Sequence, residues 1–199
     1  MRKQLKVFVS IFFVGKMISR REFIEESNKI EDVYDEEAIQ EGIDAINYIT
    51  KEDELTHQTV KKVHEIVMKN RQPEIAGKYK DGINFVPLGN GQYKVFCPPE
   101  KIEDKMDKLL SWKPGSGREA LDWLICHQNI HPHIDGNGRA GRILYWYICK
   151  ELVGCEPLLF RENNRNSMYE LMNSTVHLPI DPEVETVTEE RLRDIIDGN

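Results

Sequence analysis

Residues 131–142 read His-Pro-His-Ile-Asp-Gly-Asn-Gly-Arg-Ala-Gly-Arg, a polar, glycine-rich run between two segments whose apolar residues recur at helical spacing. Pro132, Gly136 and Gly138 so close together rule out a continuous helix or a central strand through this stretch. The flanks, GREALDWLICHQNIH before it and the segment from about 138 to 152 after it, each carry an apolar stripe that must be buried. The chain is thereby committed to two packed helices with a polar loop at their rim. Other helical patterns supply the rest of the core: SRREFIEESNKIEDV, EEAIQEGIDAINYI, ELTHQTVKKVHEIVMKN with Asp53 or Thr56 as its cap, PPEKIEDKMDKLLSW, and segments at about 163–175 and 188–196. One texture differs. INFVPLGNGQYKVFCPP holds two β-prone runs around Asn90-Gly91, a dipeptide suited to a tight hairpin turn. With no internal repeat and no long Gly/Ser linker, the chain reads as one mainly α domain with an inserted β-hairpin.

The residue types in the loop suit an anion. Gly136 and Gly138 let the backbone approach a ligand with no Cβ in the way, and successive amides opening a helix form an anion-binding nest. Asn137 brings side-chain donors, and Arg139 and Arg142, three apart on one helix face, bring two planar cations. The pattern is that of a polyphosphate site. Asp135, a hard oxygen ligand beside it, suits a Mg²⁺ ion bridging phosphate oxygens. His131, four residues earlier, is the nearby group whose ordinary pKa suits proton removal near neutrality. His127, His131 and His133 superficially offer a zinc cluster, but Pro132 breaks the helix between the last two and zinc would leave the glycine-arginine element unexplained.

The charge balance limits the ligand. With 27 basic against 34 acidic residues the formal charge is −7, which argues against a nucleic-acid-binding protein. The charge is uneven: residues 1–21 carry six basic side chains and no acid, residues 22–54 thirteen acids and two lysines. An anion must therefore be drawn by a local cluster. Cys97, Cys126, Cys149 and Cys155 show no CxxC pair, which fits buried thiols in a reducing cytoplasm. The run from Val7 to Val14 within residues 1–16 is too short to span a bilayer; it reads as an extra buried element or as sequence ahead of a start at Met17.

HPHIDGNGRAGR resembles the signature of the Fic family of AMP transferases, H-P-F-x-D/E-G-N-G-R-x-x-R, matching throughout except that His133 stands at the Phe. That family is a helical domain with a β-hairpin flap ahead of the motif, as residues 76–96 suggest, so the resemblance covers most of residues 17–199. It implies transfer of AMP from ATP to a Ser, Thr or Tyr hydroxyl of a target protein and of the enzyme itself. It makes His131 the base and Asp135 the Mg²⁺ ligand, with Gly136, Asn137 and Gly138 as the anion hole. Arg139 would bind the β/γ side and Arg142 the γ-phosphate. His133 is expected to be structural, keeping much of the Phe packing, with loop mobility or pH sensitivity as the other reading.

Fic proteins also commonly carry an inhibitory helix, S/T-x-x-x-E-G/N. Ser27-Asn-Lys-Ile-Glu31-Asp32 resembles it, within a helix at about 20–32, but with Asp32 where Gly or Asn would end the helix better. By that resemblance Glu31 pairs with Arg142 and withdraws the γ-phosphate's cation. Gly77-Lys78-Tyr79-Lys80 resembles the start of the family's flap, G-x-[FY]-R, and a target segment would add as a strand beside residues 77–95. Tyr169 resembles a tyrosine that borders the adenine pocket, or is simply core. Three alternatives stay open: an enzyme that mainly removes AMP, one that transfers another phosphate-containing group, and a non-catalytic nucleotide-binding toxin-antitoxin module. A homodimer through the apolar N-terminal run or helical faces is a further expectation, with no membrane partner.

Overall fold

A computed structural model describes residues 17–173 and 178–197. The expected N-terminal extension, residues 1–16, lies outside the described residues, as does His177. Eight helices and three short strands build the described part. Helices α1 (Arg20–Ile30), α2 (Glu36–Ile49) and α3 (His57–Met68) come first. Strands β1 (Phe85–Gly89) and β2 (Gln92–Val95) follow, then α4 (Ile102–Ser111), α5 (Gly117–Ile130) and α6 (Asn137–Tyr147). The chain ends with α7 (Arg165–Met172), β3 (Glu185–Thr188) and α8 (Glu189–Asp197).

The helix starts are set by side chains that take up otherwise unpaired amides. Ser19 accepts from Glu22 N, Asp35 from Ala38 N and Ser116 from Glu119 N, while Thr56, rather than Asp53, caps α3 reciprocally with Thr59. α5 and α6 are the buried centre: Trp123, Leu124, Cys126, Leu144, Ile148 and Cys149 are almost wholly withdrawn from solvent. α1, α2, α3 and α4 pack around this pair. α1 and α2 approach closely because Gly42 faces Ile24, where any Cβ would collide with the isoleucine's branch.

Two features depart from the sequence expectation. The hairpin is part of a three-stranded antiparallel sheet in the order β1-β2-β3, with Tyr93 opposite Val187 and Lys94 opposite Thr186. β3, ETVT, has too few apolar residues to announce itself, and is stabilised by a small separate cluster of Val95, Val187 and Leu192. Beyond Tyr147 the expected continuous helix widens into a π-helical turn, Ile148–Val153, ended by Gly154 at φ 75°.

Candidate active site

The loop between α5 and α6 turns through two left-handed residues. His131 ends α5 at φ 54°, ψ 61°, and Gly136 precedes α6 at φ 73°. A side chain at Gly136 would also run into Met68. Gly is therefore required there twice over.

Three neighbours hold the loop's backbone. From the flap side, Lys80 N donates to Pro132 O at 2.9 Å and Asn84 Nδ2 to Ile134 O at 2.7 Å. From α3, His64 Nε2 bonds Asp135 O at 2.9 Å, and beyond it Gln72 Nε2 donates to Asp135 Oδ2 at 2.8 Å. From α5, Gln128 Nε2 donates to Asn137 O at 2.9 Å. The loop also ties itself: Asn137 Oδ1 accepts from His133 N at 2.9 Å while its Nδ2 donates to His133 O at 2.8 Å. Asn137, expected to offer side-chain donors to a ligand, spends its Oδ1 and one Nδ2 proton on the loop itself, which leaves its second Nδ2 proton and its backbone N–H for an anion.

His131 stacks on Phe96 of the flap at 4.1 Å and 17°. Its Nδ1 lies 3.3 Å from Gln128 O, a carbonyl that can only accept, so the proton sits on Nδ1 and Nε2 keeps the lone pair. Burial, aided by the Lys80 and Lys94 ammonium groups, pushes the imidazole down to about 4. At neutral pH the ring is an uncharged acceptor. Both lysines are themselves buried and held down to about 8 by desolvation. Lys94 donates to Asn129 and Asn173, each at 2.7 Å, whereas Lys80 Nζ has no hydrogen-bond partner among the described residues.

His133 lies flat on His64 at 3.7 Å with the rings 2° from parallel, and its Nδ1 bonds Lys78 O at 2.7 Å. Burial holds its pKa well below the ordinary value, so the ring stays neutral and supplies a flap-to-loop hydrogen bond that Phe cannot make.

The two arginines diverge rather than forming one fork. Arg139 is buried under the end of α3, its guanidinium donating to Val67 O at 3.3 Å and contacting Met68 Sδ at 2.8 Å. Arg142 turns to α1: Nε donates to Ser27 Oγ at 2.8 Å, and Nη2 to Ser27 O at 2.9 Å and Glu31 Oε1 at 2.8 Å. Three residues on a helix of 3.6 per turn fall about 60° short of a full turn, which separates their directions enough for different partners. Glu31 Oε1 rests against Gly138, where a Cβ would overlap it. A carboxylate therefore lies at the N-terminus of α6, which has no side-chain cap of its own.

A cavity of about 50 Å³ opens beside this pair, lined by Glu31, Arg142, Gln128, Leu124, Met168, Met172 and Tyr169. Tyr169 thus borders the Glu31–Arg142 contact and is 41% exposed, not core. Asp32 takes the left-handed conformation at φ 56° that favours Gly or Asn. Arg165 accounts for an acid there: it donates to both Asp32 oxygens, at 3.0 and 2.7 Å, and to Lys29 O at 2.6 Å.

The sequence signature selected the loop but not its supports. Gln72, His64, Asn84, Gln128 and Lys94 stand in no motif; only their placement around the loop identifies them. Among the described residues, no three His, Cys, Asp or Glu side chains converge as a metal site. Asp135 remains exposed, and each oxygen accepts one bond, from Gln72 or Gly136 N at 2.7 Å. Its free lone pairs suit a hydrated Mg²⁺ sharing phosphate ligands, which needs one or two carboxylates rather than a protein cage.

Residues 54–149 match the Fic/DOC family model. A curated relative, "Protein adenylyltransferase Fic" of Nematostella vectensis, is 29% identical over 141 residues, covering 67% of this chain. The chain spans about a third of that relative's length, 32%. Among solved structures, a Fic-domain-containing signalling protein from Bacteroides thetaiotaomicron superposes with a TM-score of 0.69 at 20% identity, over 92% of this chain and 78% of the other. A Fic family protein from Desulfovibrio desulfuricans gives 0.61 at 19%, over 77% and 55%. At such identities these structures speak for the fold, and the matched segment contains the loop described above. The chain thus carries a Fic/DOC family domain over residues 54–149, on the fold that its solved relatives share.

Proposed function

We propose that the protein is a protein adenylyltransferase that moves AMP from ATP to a Ser, Thr or Tyr hydroxyl of a cytoplasmic target and of itself, restrained by Glu31. The observation that carries this reading is the Arg142–Glu31–Ser27 contact at the N-terminus of α6. A carboxylate and its arginine occupy the place where a helix start would otherwise take an anionic group. His131 presents an unprotonated Nε2 and accepts the proton of the attacking hydroxyl. The hydroxyl oxygen bonds the α-phosphorus, the bond to the bridging oxygen breaks, and pyrophosphate leaves. The amides of Gly136, Asn137 and Gly138 orient the phosphates and stabilise their charge, and Arg142, freed from Glu31, takes the γ-phosphate. Arg139 adds positive potential from beneath, while its hydrogen bonds go to α3. Asp135 would hold a Mg²⁺ ion, which would supply neutralisation of the phosphate charge. Tyr169 borders the base, and the flap presents the target.

The reading is tested with ATP labelled at the α-phosphate. Glu31→Gly protein is expected to label itself strongly, the native chain weakly, and the double variant with His131→Ala not at all. Label arriving only from the γ-phosphate identifies kinase-type chemistry instead, and the absence of any label identifies a non-catalytic nucleotide binder. Release of AMP from pre-labelled protein, compared with and without Glu31, separates inhibition from de-AMPylation.

A further inference from the structure

The π-helical turn after α6 brings two cysteines together. Gly154 and Cys155 both donate their amides to Cys149 O, the latter at 2.7 Å. An ordinary α-helical C-terminus would close on residue 150; the wider winding moves the closure back by one residue, onto a cysteine. The residue just beyond such a glycine stop characteristically packs its side chain against the last turn. Here the two residues so placed are both cysteines, and their thiols are near enough to influence each other.

The backbone bond fixes more than proximity. With an N···O distance of 2.7 Å, covalent geometry bounds the Cα···Cα separation of Cys149 and Cys155 at about 6.6 Å, inside the disulfide range of about 4.4–6.8 Å. Cys149 is wholly buried, whereas Cys155 is half-buried and reachable from solvent. Cys97 and Cys126 are both buried.

We propose that Cys149 and Cys155 form a reversible dithiol/disulfide site, oxidised by a small-molecule disulfide of the glutathione class. Cys155 Sγ attacks the oxidant and releases one thiol; Cys149 Sγ then displaces the second, forming the Sγ–Sγ bond. Two protons leave the cysteines, and the two electrons they give up reduce the oxidant to two free thiols. The bond staples the end of α6 to the segment leading to Arg161 and Arg165. The first of these pairs with Glu22 of α1 and the second with Asp32. The site stands independently of the chemistry proposed at His131.

The native full-length chain is incubated with oxidised glutathione, quenched in acid, alkylated and digested with trypsin. Cleavage after Lys150 separates Ile143–Lys150 from Glu151–Arg161, so a disulfide appears as these two peptides joined and two hydrogens lighter. Dithiothreitol is expected to reverse the link, Cys155→Ser to abolish it, and Cys126→Ser to leave it intact. A stable glutathione adduct on Cys155 alone, a link to Cys97 or Cys126, or full alkylation of both cysteines after oxidation would overturn the proposal. Circular dichroism of the oxidised native chain, expected unchanged, shows that the link forms in the folded protein; linkage accompanied by loss of helical signal also overturns it.

Discussion

The loop at residues 131–138 and helix α1 meet at Gly138, yet they are held by different physics. The loop's backbone and short polar side chains bond to neutral partners from three directions. Its conformation is over-determined. α1 reaches the site with one carboxylate, Glu31, 31% exposed, and is framed outside by exposed ion pairs such as Arg21–Glu36 and Arg165–Asp32. Those exposed pairs contribute little. What anchors α1 is Phe23, Ile24 and Ile30, each at most 2% exposed and worth about 1.5–3 kcal/mol of burial. The apolar term wins, so the docking of α1 does not depend on the Glu31–Arg142 contact at its end. Under the proposed function, the loop keeps one geometry and the restraint lies in one side chain on a helix that need not leave.

That contrast can be broken, beginning with its largest consequence. In Glu31→Gly protein, His131→Ala is expected to lower the labelling rate by about 10²–10⁴-fold, the usual worth of a positioned base. A smaller loss would mean that another group accepts the proton. Glu31→Gly alone is expected to raise labelling about ten- to hundredfold, as fits removal of a hydrogen-bonded charge from Arg142. A detached helix should then show as faster hydrogen exchange across residues 20–30; unchanged protection is expected.

The permanence of the loop is probed by Asn137→Ala, which strands His133 N and leaves His133 O only the 3.4 Å bond from Asn84 Nδ2. It should lower the melting temperature by about 5–10 °C, whereas Asn137→Asp, which keeps the acceptor, should lower it less. The pH profile is the next test. His131 must be neutral to act, and its pKa is depressed to about 4, so activity of Glu31→Gly protein should hold down to about pH 5 and fall below. Lys80→Met removes a nearby cation, raises that pKa and should shift the acid limb upward. A native limb near pH 6.5 would show that the ring is not shielded as described. The smallest effect belongs to Arg165→Ala, expected to raise labelling only about twofold because its ion pair is exposed. An effect equal to that of Glu31→Gly would place the latch at α7 rather than in α1's core.

Much of this was legible in the residues. Helical spacing located the helices, Asn90-Gly91 the hairpin, and the twelve-residue loop its own sharp turns. Chemistry that depends on residue type and local spacing reads directly from sequence. What did not read is whatever depends on who faces whom at long range. Arg139 and Arg142 look equivalent on a helical wheel, but α3 and α1 claim one each. Asn137 reads as a donor to ligand, and its tie to His133 through Oδ1 and one Nδ2 proton appears only in the fold. Asp32 looks unsuited to its left-handed position until Arg165, 133 residues later, is found grasping it. β3 was invisible because its four residues gain their strand character only from β2.

The flap's open strand has a property of its own. β1 carries Phe85, Val86 and Leu88 toward solvent along an edge that no strand pairs among the described residues, and sheets with such edges are prone to stick to one another. Pro87, in the middle of that strand, has no N–H, and the register slips between Pro87 and Gly89. The edge is thus an incomplete template: a visiting strand finds a ladder with a missing rung, and so does a second copy of the protein. A surface built this way favours brief strand pairing over a long-lived ladder.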